Sequence, residues 1–459
     1  MSLNTSDATS RAPGTFLGYE KATRAAPPSD LVHVGPGKPL GELLRRYWHP
    51  VVQSSELPDG HPLRVRVLDE DLVLFRDHGG NLGLLHLHCP HRQTSLEFGR
   101  VSERGLRCCY HGWLFDVDGT VLEAPPEPEN DRIKKTVRQG AYPVREYKGL
   151  IFAYMGPPTE MPDFPLFDTF EQEGHEMVPY SYDYPCHWLQ TAENVIDPFH
   201  TVFLHTRISG SQFSESFGEM PLVEWRPMPS GAGIYLVNVR RVKEHLWIRT
   251  QESFRPNFSQ TGDIWQEANE QQVFCRVGLS KWIVPIDDTN CRVIGWRYFA
   301  QTLDRKGRGD RGRVGRNAID FIGQLDDRSY EEKQIEPGDF EAIVSQGGRT
   351  GVAEHGRDHL ASTDVGVAMV RKYLREAVAT VSEGRPLSRP VKASNGLFSS
   401  YTQDTVIRWP EKEGDAEKAE RRRVARLVAD IIVATDDLPL EERREEIRRR
   451  INATLGTEL

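Results

Sequence analysis

Cys89-Pro90-His91 and Cys108-Cys109-Tyr110-His111 are the stretches that decide how this chain of 459 residues is read. Each offers one cysteine and one histidine, with sixteen residues between His91 and Cys108. Two thiolates for one iron and two neutral imidazoles for the other are the ligands of a [2Fe–2S] cluster in which His replaces half of the cysteines. Imidazole in place of thiolate makes the cluster less negative and raises its potential, so it accepts electrons readily. A Cys₂His₂ zinc site uses the same residue types, but it pairs cysteines as C-x₂₋₄-C and histidines as H-x₃₋₅-H. Here each loop mixes both types, and Gly112-Trp113 follows at once. The spacing predicts Cys89, His91, Cys108 and His111 as cluster ligands.

Cys-Pro-His-Arg over 89–92, followed by Cys-x-Tyr-His-Gly-Trp over 108–113, resembles the N-terminal domain of the Rieske non-haem iron oxygenases. Gly35-Pro36-Gly37, then Gly41-Glu42-Leu43-Leu44-Arg45-Arg46-Tyr47-Trp48, is similar to the opening segment of the phthalate-dioxygenase-like branch, which includes aromatic O-demethylases. The likeness runs over most of the chain, from residue 30 to 410.

A second constellation follows. Asp197-Pro198-Phe199-His200 leads through four residues to His205. This D-x-x-H-x₄-H spacing resembles the mononuclear iron segment of the same family. Two histidines and one carboxylate on one face of Fe(II) leave positions open for O₂ and substrate. On an ideal α-helix, residues i and i+5 sit about 140° apart at 3.6 residues per turn. His200 and His205 therefore converge on one ion only if a π-like turn or a helix end intervenes. The carboxylate must come from elsewhere. Glu336-Pro337-Gly338-Asp339-Phe340-Glu341-Ala342, followed by Ser345-Gln346, is similar to the family's distal carboxylate segment, and the resemblance assigns Asp339. Glu336, Glu341 and Asp320 are its rivals, and a turn or helix-capping role is the plainer reading of an aspartate after Pro-Gly.

Asp197 lies three residues before His200. The resemblance makes it a bridge between the Rieske histidine His111 of one subunit and the iron-ligating His200 of the next, orienting both rings. Capping a helix that starts at Pro198 is the alternative, and the two roles are compatible. Asn194 is a candidate for the surroundings of the iron or an ordinary packing amide. Arg92 orients the cluster loop or faces a redox partner, and Tyr110 and Trp113 are expected to pack around the cluster and exclude water.

Composition supports a soluble globular protein of two or three domains at about 150 residues each. Charged residues make up 27% and hydrophobic ones 38%, and no stretch reaches the roughly 18 apolar residues of a membrane span. The formal charge of −9 argues against a general nucleic-acid binder. The start lacks a basic and then apolar leader, and Cys109, Cys186, Cys275 and Cys291 are scattered like free thiols, so the expected location is cytoplasmic.

The expected fold class is α+β. An N-terminal extension (1–45) precedes a small all-β Rieske domain (46–160), with short apolar bursts from Leu63 and turn signals at Gly79-Gly80 and Asp118-Gly119. The Pro-rich stretch from Gly156 to Pro165 marks its end. The catalytic domain (161–410) carries long strand-like runs, such as Ile234–Val239, Trp282–Ile286 and Cys291–Ala300, that suggest an antiparallel sheet flanked by helices. Val367, Val370, Leu374 and Val378 share one helix face that ends near Gly384. The charged helical tail (411–459) has Val424, Leu427, Val428 and Ile431 as its apolar stripe, to be packed on its own domain or on a neighbouring subunit. The run Arg305–Arg316 reads as a solvated loop or a dock for an acidic ferredoxin.

The resemblance implies a terminal oxygenase with a [2Fe–2S] cluster and mononuclear Fe(II). Electrons would come from a separate ferredoxin or NAD(P)H-dependent reductase, since the chain has no second cluster motif and no Gly-rich flavin or nicotinamide fingerprint. An aromatic acid is the implied substrate, with O-demethylation of a lignin-derived methoxy-aromatic ahead of ring dihydroxylation. A head-to-tail trimer is the implied assembly. A Rieske electron carrier is the non-enzymatic alternative, but a carrier needs only one domain of about 100 residues.

Overall fold

The computed structural model describes residues 30–128, 132–172, 174–262, 272–273, 277–300 and 309–459. Its first helix, α1 (Pro39–Arg45), leads into β1 (Trp48–Gln53). Residues 30–45, the last part of the N-terminal extension, pack against the rest of the chain. Leu31, Val34, Leu43 and Leu44 are fully buried in the main core, Asp30 pairs with Arg375, and the Val32 carbonyl accepts from His187.

Two small antiparallel sheets follow. β2 (Leu63–Val67), β3 (Glu70–Arg76) and β4 (Leu82–His86) form a meander, and β5 (Arg100–Val101), β6 (Leu106–Arg107), β7 (Leu114–Phe115) and β8 (Val121–Glu123) form a second one. β9 (Ala141–Tyr142) pairs with β4, while β10 (Val144–Tyr147) and β11 (Leu150–Tyr154) pair into a three-stranded sheet with β1. Val73, Phe75, Leu85, Leu87, Leu96, Leu106 and Phe115 make a separate small core directly under Cys89, Cys108 and Trp113. The cluster loops thus stand on a rigid base.

The second unit is a nine-stranded antiparallel sheet. Its strands are β12 (Glu176–Tyr184), β13 (Leu222–Pro227), β14 (Gly233–Val242), β15 (His245–Phe254), β16 (Phe258–Gly262), β17 (Gln272–Val273), β18 (Val277–Asp287), β19 (Asn290–Phe299) and β20 (Gln403–Arg408). The main path runs β12-β19-β18-β16-β15-β14-β13, and β20 joins β15 and β17. Alternation sends Ser280 and Trp282 to one face and Leu279 and Lys281 to the other. On the first face Trp282 stacks on Phe258 at 4.1 Å and meets Phe152 of β11 at 5.3 Å. Burying each such ring contributes roughly 1.5–3 kcal/mol, so the two units share one continuous core.

The opposite face of the sheet is covered by helices. α2 (Trp188–Val195) is capped by the His187 side chain, which accepts from Leu189 N. Pro198 stops it, because the residue before a proline is driven out of the helical region. α3 (His200–Val202) then runs into a π-helical turn over Phe203–Ile208. α4 (Tyr330–Ile335) and α5 (Asp339–Val344) follow the sheet, and α6 (Val365–Ser382) ends just before Gly384, whose φ of 68° stops the helix. Arg371 of α6 clamps Glu193 of α2 through two 2.7 Å bonds, fixing the helix that leads to the site.

The tail forms α7 (Gly414–Val433) and α8 (Leu440–Leu455). It packs on its own domain: Val424, Ala425, Val428, Ala429 and Ile432 are buried, and Arg443 binds Asp168 at 3.0 Å. The buried stripe is rotated from the one read in sequence, because Leu427 and Ile431 stay partly exposed while two small alanines make the close approach. Part of the Arg305–Arg316 run, residues 305–308, lies outside the described residues. The remainder is tied down: Arg311 pairs with Glu176, and Arg316 with Glu56 and Asp183. Cys109, Cys186 and Cys291 are free thiols, as is each cluster cysteine, while Cys275 lies outside the described residues.

Candidate metal centres

At the tip of the first unit the two loops face each other. Gly112 takes a φ of 73°, which lets the chain double back so that Cys108 N reaches Trp113 O at 2.8 Å. Gln93, at a φ of 60°, makes the matching turn, its N–H donating to Cys89 O at 2.9 Å. The rings of His91 and His111 lie 4.5 Å apart, and Trp113 stacks flat on His91 at 4.8 Å. Trp113 is buried, as expected of a water-excluding group. Tyr110 is not: it leans on His111 but remains 54% exposed, with Arg92 over its outer face.

The donor set suits an iron–sulfur cluster. Burial and the facing Cys108 thiol push the Cys89 thiol up to about 11, so two adjacent thiolates would need a bound cation here. Desolvation, His91 and Arg92 lower His111, the direction that favours the neutral ring a ligand needs. Nδ1 of His91 is buried without a hydrogen-bond partner among the described residues, an orphan that coordination would satisfy.

The second centre lies between the helical layer and the sheet. His200, His205 and Asp339 each offer a ligand atom, all within 4.8 Å of one another. Nε2 of His205 is 3.3 Å and Nε2 of His200 3.8 Å from Asp339 Oδ1. The π-turn after α3 supplies the extra residue that brings i and i+5 to one side. Nδ1 of His205 donates to Gln212 Oε1 at 2.8 Å, so Nε2 is left for a metal. Asp339 accepts from Asn194 at 3.2 Å and from Gln324 at 2.6 Å. Against the upward push of burial, His205, His200 and Gln324 hold its carboxyl far below the usual range.

The rival acids are engaged elsewhere. Asp320 pairs with Arg297, Glu341 with Arg328 and the α5 N-terminus, and Glu336 is exposed. Asp197 places Oδ2 3.5 Å from Nδ1 of His200, while its Oδ1 caps Phe199 N at 2.8 Å, so the capping role is present beside the histidine. Against burial, His200 and the Phe199 N–H hold Asp197 below the usual carboxylate range.

A cavity of about 130 Å³ opens beside this triad. Phe213, Phe217, Leu279 and Phe321 form its apolar wall, and Arg240, Arg249, Lys281 and Arg297 its cationic floor. None of these eight residues, nor Gln212 or Gln324, is marked by a sequence motif. The alternation along β18 is the one signal that points Leu279 and Lys281 together to a single face.

The model of the Rieske [2Fe-2S] domain family matches residues 47–147. The tert-butanol monooxygenase / tert-amyl alcohol desaturase oxygenase subunit of Aquincola tertiaricarbonis is 42% identical over 440 residues, covering 92% of this chain and 92% of that protein. The 5,5'-dehydrodivanillate O-demethylase oxygenase subunit of Sphingobium sp. strain SYK-6 is 34% identical, over 77% of this chain and 80% of its own. Among solved structures, dicamba monooxygenase bound to dicamba aligns with a TM-score of 0.57 at 19% identity, over 74% of this chain and 99% of that one, a likeness of fold. The family carries a Rieske [2Fe–2S] cluster and a mononuclear iron, and both donor sets of this chain suit them. With near full-length identity to oxygenase subunits and two centres built from the expected residue types, this chain belongs to the Rieske non-haem iron oxygenases, as an oxygenase component of the phthalate-dioxygenase-like branch.

Proposed function

We propose that this chain oxygenates a small aromatic acid, O-demethylating a methoxy-bearing, lignin-derived ring in preference to dihydroxylating one. The observation that carries the reading is the cavity itself, whose phenylalanine wall faces four cations beside the triad. The similarity to a dehydrodivanillate O-demethylase supports it. Cys89, His91, Cys108 and His111 would hold the cluster, and His200, His205 and Asp339 the iron. When bound and reduced, that iron supplies activation of O₂. The protein's own groups then orient and exclude. Gln212 fixes the His205 tautomer, Asn194 and Gln324 hold both oxygens of Asp339, and the aromatic wall keeps water from the substrate. A methoxy carbon that gains a hydroxyl becomes a hemiacetal, which releases formaldehyde and leaves a phenol.

The electron donor is a separate protein, a ferredoxin or an NAD(P)H-dependent reductase, and three copies of the chain form the ring. Phe98 (68% exposed) and Tyr110 stand out at the cluster end, and Ile208 (66%) and Phe203 (45%) beside the iron triad, apolar surface of the kind that subunits cover. In that ring His111 of one copy would donate to the Asp197 carboxylate of the next, beside its contacts with His200 and the Phe199 N–H.

The cavity volume also admits a second reading, oxidation of a branched aliphatic alcohol. An engineered cavity of about 150 Å³ holds one benzene, so this space suits one ring or a compact alcohol. The Aquincola relative's name gives such alcohols. Product analysis with loaded enzyme and a generic ferredoxin–reductase pair, offered methoxybenzoates, phthalate and tert-butyl alcohol, tests both. Formaldehyde with a hydroxybenzoate supports the first, and a hydroxylated alcohol alone replaces it with the second.

A further inference from the structure

Each of the three arginines in the cavity already has an acid or carbonyl partner in the protein, although Nε and Nη1 of Arg249 make no hydrogen bond among the described residues. Arg297 donates to Asp320 at 3.1 and 3.2 Å and to the carbonyls of Gly278 and Tyr298. Arg249 faces buried Asp404 at 3.6 Å and donates to Gly262 O. Arg240 spends its N–H groups on Asn238, Thr201 and the carbonyls of Glu219 and Pro198. Lys281 differs. Among the described residues its ammonium makes no hydrogen bond or ion pair, and the acid whose charge it feels is Asp339. Asp339 is already engaged by Asn194, Gln324 and His205.

The register explains why Lys281 has no ion-pair partner among the described residues. Its cross-strand neighbours are Gly295 on β19 and Ser259 on β16, neither of which brings a charge. Lys281 is half-buried, and a ligand that closes the cavity would strip the remaining water from its ammonium, a cost that an anionic ligand offsets and a neutral one does not. We propose that Lys281 anchors the carboxylate of the substrate and so sets the preference for acids over neutral compounds of the same shape. The inference rests on the aromatic-acid reading above. A neutral amide in the same place would leave the ammonium unpaired, the situation in which a polar site discriminates most strongly.

The test uses the holoenzyme and four probe acids, benzoate, 3-methoxybenzoate, 4-methoxybenzoate and phthalate, each beside its primary amide. Calorimetric titration should show at least one acid bound tenfold or more tightly than its amide by the wild type. Lys281→Met should bring the two to within about threefold, and Lys281→Arg should keep the preference, with iron content and circular dichroism unchanged in both. For an acid that turns over, Lys281→Met should raise KM at least tenfold while changing kcat less. If acids bind and are oxygenated but Lys281→Met or Lys281→Gln keeps the preference, the role of Lys281 is overturned and the aromatic-acid reading stands. If the wild type binds none of the acids, or binds acid and amide alike, while oxidising tert-butyl alcohol, the reading and the anchor fall together.

Discussion

Oε1 of Gln212 lies 2.8 Å from Nδ1 of His205, and this one hydrogen bond leaves Nε2 of a buried imidazole as the nitrogen that would meet iron. Nε2 then faces Asp339 Oδ1 at 3.3 Å, so the amide behind the ring and the carboxylate before it fix its tautomer and its plane. Gln212 is itself held by its Nε2–H to Pro337 O at 3.0 Å, two residues before Asp339. Gln212→Leu should therefore weaken Fe(II) binding by roughly 10–100-fold, the usual effect of losing such a partner. Titration of the iron-depleted protein would measure it. An unchanged affinity would show that the ring needs no support from behind.

Two separable iron populations are expected. Cys89→Ala or Cys108→Ala should bleach the visible cluster spectrum and leave mononuclear iron bindable, while His200→Ala or Asp339→Ala should do the reverse. Metal analysis beside the absorption spectrum reads both. Full mononuclear iron in Asp339→Ala would return the assignment to Asp320, Glu336 or Glu341.

Asp197→Asn keeps the shape and the Phe199 cap but removes the charge beside His200. It should fold and retain both centres, yet lose most turnover, because an amide cannot accept from two imidazoles with both oxygens. Normal metal content with normal activity would leave only the capping role.

Burial pushes Glu252 up to about 8, although Ser400, Gln260 and the Tyr401 N–H donate to it. Its folded value lies above the unfolded 4.5, so the folded state holds the extra proton between the two. Stability should then fall as pH rises through that window toward 8, by an amount on the order of a few kcal/mol. Denaturant unfolding of Glu252→Gln, which cannot titrate, should lose that slope between pH 5 and 8. A wild-type slope of the opposite sign would mean that the three donors outweigh burial.

If the proposed head-to-tail ring forms, each cluster would serve the iron of the neighbouring copy. Cys108→Ala and Asp339→Ala proteins should each be inactive alone. Hetero-oligomers of the two, isolated with different tags, should recover part of the activity, since some interfaces join an intact cluster to an intact triad. Mixed rings of confirmed composition with no activity would count against transfer between subunits.

Much of this was legible without coordinates. Cys89, His91, Cys108 and His111 sit in two short loops, where covalent spacing alone limits what they can hold, and Gly112 announces the turn. The five-residue gap from His200 to His205 is incompatible with an ideal helix, and a π-turn lies where the gap demands one. The apolar period of Val367, Val370, Leu374 and Val378 marks α6 up to Gly384. The tail was legible as helix but not as to which face is buried, since a stripe of alanines fits a close approach as well as leucines do.

The amino-acid sequence by itself determined the two short-range sets of candidate ligands and the class of fold, because both follow from spacing and periodicity along a few residues. Only the tertiary structure shows that Asp339, which the resemblance had assigned, stands beside the two histidines. Asp339 is 134 positions beyond His205 in the chain, and it arrives because α5 packs on α2 while Asp320 and Glu341 are drawn off by arginines. It also decided the charge of the cavity. Arg240, Arg249, Lys281 and Arg297 lie on four different strands, and only sheet register, a long-range property, brings them to one floor and leaves Lys281 without a partner among the described residues.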